Sequence, residues 1–248
     1  MSIALAVAFA ATLIFLAGLW QRLAALRRLQ YIRTFDLPQG LFARLRAKRP
    51  ELTLKDCQLI ARGLRQFFLA HAQSGRKFVA MPSQAVDDLW HEFILYTRHY
   101  QDFCRKAFGG FFHHTPAVVL GDDRQINAGL RRCWWYACRE ENINPRLATR
   151  LPLLFAIDAK LKVADGFRYV AECDSIKRES RNGTSTITYC GGDFGNSSVD
   201  GSLDGFGDAS NASGFESGGG ESGGGGASGS DGGGDGGSGC GGGGCGGS

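Results

Sequence analysis

Residues 87 to 116, DDLWHEFILYTRHYQDFCRKAFGGFFHHTP, hold three aspartates, a cysteine, a tryptophan and four of the chain's five histidines. Imidazole, thiolate and carboxylate are the ligands zinc takes, and imidazole also exchanges protons near neutral pH. The stretch therefore poses a metal centre or acid–base catalysis, beside the plainer reading of polar groups that serve packing. Asp87 and His91 are i, i+4 neighbours on one helical face. No Gly or Pro interrupts Gln84 to Phe108, so the segment reads as one helix, on which His91 and Cys104 lie about 20 Å apart. His113 and His114 follow Phe108 by five and six residues, a reach of roughly 20 Å at most, against about 26 Å back along the helix to His91. On that reading a joint site of Asp87, His91, Cys104 and one of these two histidines is excluded.

Two smaller clusters remain. If the helix over 54–72 packs antiparallel through the connection at 73–83, His71 comes level with Asp87 and His91, with Asp88 or Glu92 nearby. At the other end Cys57 comes level with Cys104, and the following loop could fold His113 or His114 onto them, a set that zinc accepts. Each cluster has a structural alternative. The first could be a buried Asp–His pair that locks two helix ends. Cys57 and Cys104 lie on apolar stripes, where free thiols commonly serve as core residues.

The elements that must position these residues are helical by pattern, and the fold class expected is all-α. Ile3 to Trp20 is an uncharged apolar run of eighteen residues, long enough to span the hydrocarbon layer as a helix. Arg22, Arg27, Arg28 and Arg33 follow it and no Lys or Arg precedes it, so the positive-inside bias puts the rest of the chain in the cytoplasm. Export after signal cleavage is the alternative, and a buried core helix a third. Residues 3–33 read as one helix leaving the membrane, and a short basic helix, LFARLRAKR, ends at Pro50. Thr53 with Asp56 forms a capping box for the next helix, and Ser83 can cap the one after it. A further helix covers about 122–141 and another begins at Leu151-Pro152. TSTITYC, after the Asn182-Gly183 turn, could be a short strand.

The organisation expected is a transmembrane anchor and juxtamembrane helix at 1–33, a four- to five-helix bundle at 34–175, and a linker and Gly/Ser/Asp-rich tail at 176–248. The tail from Gly191 onward holds 27 of the 37 glycines, eight acidic residues and no Lys or Arg, leaving a net −8 tail on a +12 body. So little apolar surface cannot offset the entropy of ordering, so the tail is expected to be disordered. In a cytoplasmic body Cys57, Cys104, Cys133, Cys138, Cys173 and Cys190 should be reduced. Cys240 and Cys245 sit in the tail, and no C-x-x-C pair occurs.

The segment VDDLWHEFILYTRHYQDFCRKAFGGFFHHTP resembles the signature of the glycine-rich domain-containing protein-like family, with its Asp-x-x-Trp-His core, a Tyr, and a Gly-then-His segment. The matching positions here are Asp87, Trp90, His91, Tyr100, Gly109 (after Phe108) and His113/His114. The resemblance covers residues 83–116 and extends more weakly through RLPLLFAIDAKL to the glycine-rich tail. It implies a bacterial, membrane-anchored member and no particular enzymatic activity. Members outside bacteria often carry a second histidine two residues after the first, where this chain has Phe93.

The reading favoured is a single-pass membrane protein whose cytoplasmic helical domain serves as an interaction or scaffold module for a protein partner, and not as an enzyme. The alternative is a metal-dependent enzyme, with zinc as the cofactor, using a His/Asp or Cys/His cluster. Arg44, Arg46, Lys48 and Arg49 could add contact with anionic lipid. Nucleic-acid binding is disfavoured because the positive charge follows no recognised motif.

Overall fold

Ser2–Thr34 forms one continuous helix, α1, in a computed structural model that describes residues 2–119, 121, 123–171, 188–194 and 204–205. Its apolar half meets solvent. Phe9, Ile14, Phe15 and Trp20 are each about two-thirds exposed or more, which overturns the core-helix reading. The helix is long and apolar enough to cross a membrane, a test that a signal sequence also passes. Its last turns are different. Ile32 is fully buried, Leu29 and Tyr31 pack against the core, and Arg33 forks onto Glu140 through two 2.9 Å bonds.

Helix α2 (Leu41–Lys48) follows a left-handed Gly40 (φ 84°) and buries Leu41 and Leu45. Helix α3 (Leu54–Gln73) is the central element and packs against α1, α2, α6, α7 and α4 (Gln84–Ile94). Its N-terminus carries the expected capping box. The Thr53 hydroxyl accepts the Asp56 N–H, and the Asp56 carboxylate accepts the Thr53 N–H. Gly63 in the middle of α3 leaves room for Ile157 and Val86, whose side chains a Cβ would strike. Glycine costs helix propensity, and here close helix packing uses the missing methyl.

The expected single helix over 84–108 is two helices, α4 and α5 (Thr97–Phe108). The break lies at Tyr96, whose backbone (φ −81°, ψ 58°) is that of an inverse γ-turn. Any L-residue adopts this conformation, so no Gly or Pro marks it. The Tyr96 N–H closes a tight turn on the Phe93 carbonyl, and the Tyr96 carbonyl accepts the Tyr100 N–H to restart the helix. Thr97 is exposed at this corner.

Helix α6 (Arg124–Glu140) is capped by Asp123, and α7 (Leu153–Lys160) starts after Pro152. From α7, the buried Asp158 accepts four bonds: Ser83 Oγ at 2.7 Å, and the N–H groups of Gln84, Phe167 and Ala85 at 2.8, 2.9 and 3.1 Å. Three of these donors lie at the start of α4, where amide groups lack helical partners. The carboxylate thus fixes α4 one turn before Asp87.

Among the described residues the fold is all-α apart from two three-residue strands, β1 (Arg168–Val170) and β2 (Thr188–Cys190), paired in parallel with Tyr169 opposite Tyr189. The expected strand is therefore present in its last three residues. A short 3-10 turn, Gly191–Phe194, then stacks Phe194 on Trp134. Cys57, Cys104, Cys133 and Cys138 are free and buried. Cys190 is disulfide-bonded, which departs from the expectation of a reduced thiol. Cys173, Cys240, Cys245 and nearly all of the glycine-rich tail also lie outside the described residues, as does the disorder expected of that tail.

A candidate metal centre on helix α4 and the loop after helix α5

Asp87 occupies the first turn of α4, and its side chain is almost completely buried. His91 lies one turn further along the same face, as the i, i+4 spacing implies. The third member comes from the loop after α5. Gly109, in the left-handed region (φ 77°), ends α5 by giving its N–H to the carbonyls of Cys104 and Arg105. The chain then runs back along α4 in extended form, alternating exposed Phe111, buried Phe112, exposed His113 and half-buried His114.

Two bonds and a row of rings set the register of this return. Trp90 Nε1–H donates to the Tyr100 hydroxyl at 3.1 Å, and that hydroxyl donates to the Phe112 carbonyl. The Phe112 ring fills a space among Phe67, Phe108 and Trp90, with centroids 5.8, 5.4 and 5.1 Å away. A ring burying this much apolar surface holds the loop firmly. Two residues later His114 meets Asp87, with Trp90 packed 4.6 Å from its ring.

Asp87 Oδ1 lies 2.9 Å from His114 Nε2, and Asp87 Oδ2 lies 3.3 Å from His91 Nδ1. The two imidazole centroids are 3.9 Å apart, and one ligand atom from each of the three residues falls within 4.8 Å of the others. Around a tetrahedral zinc with bonds of about 2.0–2.2 Å, neighbouring ligand atoms sit roughly 3.3 Å apart. The observed spacings are of that size. This His/Asp cluster can therefore coordinate a metal ion. The side chains of Asp87, His114 and His91 are 3, 17 and 47% exposed, so the approach is from the His91 side.

The grouping differs from the one expected in the sequence. His114 does reach Asp87 and His91, because the break at Tyr96 turns α5 back and removes the long helical path. His71 lies elsewhere. Its ring stacks on Phe112 at 3.8 Å and meets Phe108 edge-on, and Nδ1 donates to the Lys77 carbonyl at 3.1 Å. Burial lowers its pKa to about 4, and nearby Arg76 acts in the same direction, so at neutral pH the ring is uncharged. His113 is exposed and packs against Phe111.

Cys57 and Cys104 join no metal-ligand group of three or more among the described residues. Burial pushes both thiols up, which suits inert core residues. Asp88 and Glu92 turn to other partners. Asp88 is clamped by Lys48 and by Arg49, which also pairs with Asp165 at 2.9 Å, and Glu92 takes Arg44 at 2.5 Å. Arg46 donates to the Leu52 carbonyl. Each of the four cations expected to face anionic lipid thus makes at least one hydrogen bond within the body. FFHH itself carries no signal for His114 over His113, since an extended segment puts one Phe and one His on each face.

A family model described as UCP032817-like matches residues 27–194. No curated protein and no solved structure matches the chain.

Proposed function

The chain belongs to the UCP032817-like family, and we propose that the domain holds one divalent transition-metal ion on Asp87, His91 and His114 and uses its open coordination positions for chemistry. The observation that carries this reading is the convergence of one nearly buried carboxylate and two imidazoles from separate elements within 4.8 Å. Two nitrogens and one oxygen suit zinc, with ferrous iron the next candidate for a two-histidine, one-carboxylate set. Three protein ligands with a position left open are the arrangement of catalytic metal sites, whereas structural zinc sites close all four. Such a centre supports Lewis-acid activation of a water or a substrate oxygen.

In this reading Trp90 and Tyr100 are positioning residues. They hold the loop that delivers His114 and touch no reacting atom. Helix α1 anchors the domain to the membrane, and its buried last turns support that role by continuing the apolar helix into the folded body without an intervening loop.

The test is metal analysis of the full-length chain purified in detergent, followed by zinc and ferrous iron titration of the metal-stripped protein. One equivalent should bind. D87N, H91A and H114A should each weaken binding at least about 100-fold, since even outer-shell changes cost about 10–100-fold, while H113A should bind as the parent does. If no stoichiometric zinc or iron binds to folded protein, the cluster is a hydrogen-bonded lock between α4 and the loop, and the scaffold reading takes over.

A further inference from the structure

Away from the metal cluster, with none of its residues in the lining, a groove of about 430 Å³ lies between α1, α3, α5 and α6. Ala25, Leu29 and Ala72 form its apolar wall, and Arg28, Arg76 and Arg139 line it with positive charge. Two of these cations converge. A Cβ placed on Gly109 would find Arg28 Nη2 at 3.3 Å and Arg76 Nη1 at 3.6 Å, so both guanidinium groups close on the same point. Arg76 is held there by donating to the Phe108 carbonyl at 2.8 Å. No carboxylate among the described residues pairs with either Arg28 or Arg76. Glu140, the acid lining the groove, already takes Arg33 and Gln73. Like charges brought this close repel one another, and an anion placed between them removes the cost.

The position of the groove indicates which anion. Ala25 follows the end of the apolar run at Trp20 by five residues and Arg28 by eight, about 7 and 12 Å along a helix. Ala25 thus falls within the headgroup layer, which adds about 5–8 Å on each side of the hydrocarbon core, and Arg28 starts about 4 Å beyond it, a gap that a long side chain leaning toward the helix N-terminus spans. We propose that this groove binds the phosphate of an anionic phospholipid headgroup, with Arg28 and Arg76 as its two cations and Ala25, on the membrane side, against the glycerol carbons next to it. Paired guanidinium groups suit phosphate oxygens because each presents parallel N–H donors. The four cations of α2 and its C-terminus do not compete for this role, since they face Asp88, Glu92 and the Leu52 carbonyl.

Arg27 and Arg28 are neighbours on one helix at nearly the same depth, but only Arg28 lines the groove. That makes R27E the matched control for R28E. The experiment counts phosphatidylglycerol retained by the full-length chain from mixed phosphatidylglycerol/phosphatidylcholine nanodiscs after detergent extraction, read by native mass spectrometry. R28E should lose roughly tenfold of the retained anionic lipid, since it reverses a charge in direct contact with the phosphate, and R27E less than about twofold, since detergent extraction strips lipid held only by diffuse surface charge. A25W, which fills the lip of the groove without altering charge, should reproduce the R28E loss and covers the case in which R28E fails to fold. Equal losses in R27E and R28E would reduce the effect to diffuse surface charge, and retention by both R28E and A25W would remove the site. A further arm titrates glycerol phosphate into lipid-free protein. If it saturates the groove as readily as the lipid does, the ligand is a soluble phosphate ester and the lipid assignment is wrong.

Discussion

A single row of rings runs from His71 through Phe112 and Trp90 to His114, and the histidines at its two ends have opposite fates. At the His71 end the imidazole lies flat on Phe112, edge-on to Phe108, and gives its one proton to a backbone carbonyl. At the His114 end the imidazole faces a carboxylate and a second imidazole, on a side open to water. Both ends rest on the same Trp90–Phe112 packing. The difference is what completes the shell. An aromatic box desolvates a histidine and keeps it neutral, while a buried carboxylate beside two imidazoles makes a set of metal ligands. Histidine content along the chain says little about this, because the two ends are built from the same residue types.

The comparison breaks most severely at its centre. W90A should destabilise the domain by about 3–5 kcal/mol, the usual cost of emptying a buried tryptophan site, and should abolish metal binding in whatever protein remains folded. Urea denaturation of the metal-free chain measures the first effect, and a W90A protein of parental stability would show that the row does not join the two ends. The next effect separates the ends. With the folded pKa of His71 at about 4 against an ordinary value of about 6.5, the unfolded chain binds the proton first as pH falls. Stability due to His71 is therefore full above about pH 6.5 and declines toward pH 4, by about 3 kcal/mol in total. H71F should flatten that decline in metal-free protein and leave metal stoichiometry at neutral pH unchanged. An H71F variant that loses its metal would place His71 in the site after all. The smallest effect tests the link alone. Y100F removes the hydroxyl that accepts from Trp90 and donates to the Phe112 carbonyl, for about 1–2 kcal/mol of stability and about tenfold in metal affinity through misplacement of His114. A change in stability with unaltered affinity would mean that ring packing alone holds the register.

Much of the framework was legible. The Thr53–Asp56 capping box, Ser83 at the start of α4 and the long apolar α1 depend on local chemistry, and local chemistry is visible in order along the chain. The i, i+4 pairing of Asp87 and His91 was legible for the same reason. The third ligand was not. Placing His114 required knowing that Tyr96 leaves the helix through a backbone conformation with no residue preference, and that Phe112 has a space waiting among rings from three helices. Both are properties of the assembled core. The distance argument that excluded His114 was sound for an unbroken helix, and the structure changes the premise. The role of Asp158 was missed for a related reason, since a cap supplied from seventy residues away has no local signature.

Helix α1 enters the folded body without a loop, and its last turns are part of the core. With the apolar run embedded in a bilayer, the domain has no joint about which to swing, and its orientation becomes that of the span. The stretch from Trp20 to Thr34 stands about 21 Å tall as helix, a stiff mast that holds the open face of the Asp87 cluster at one height and one azimuth. Anything that rolls or tilts the span, such as a change in bilayer thickness or a second helix packing beside it, must then re-aim that face as a whole. The membrane would set the direction in which the site looks.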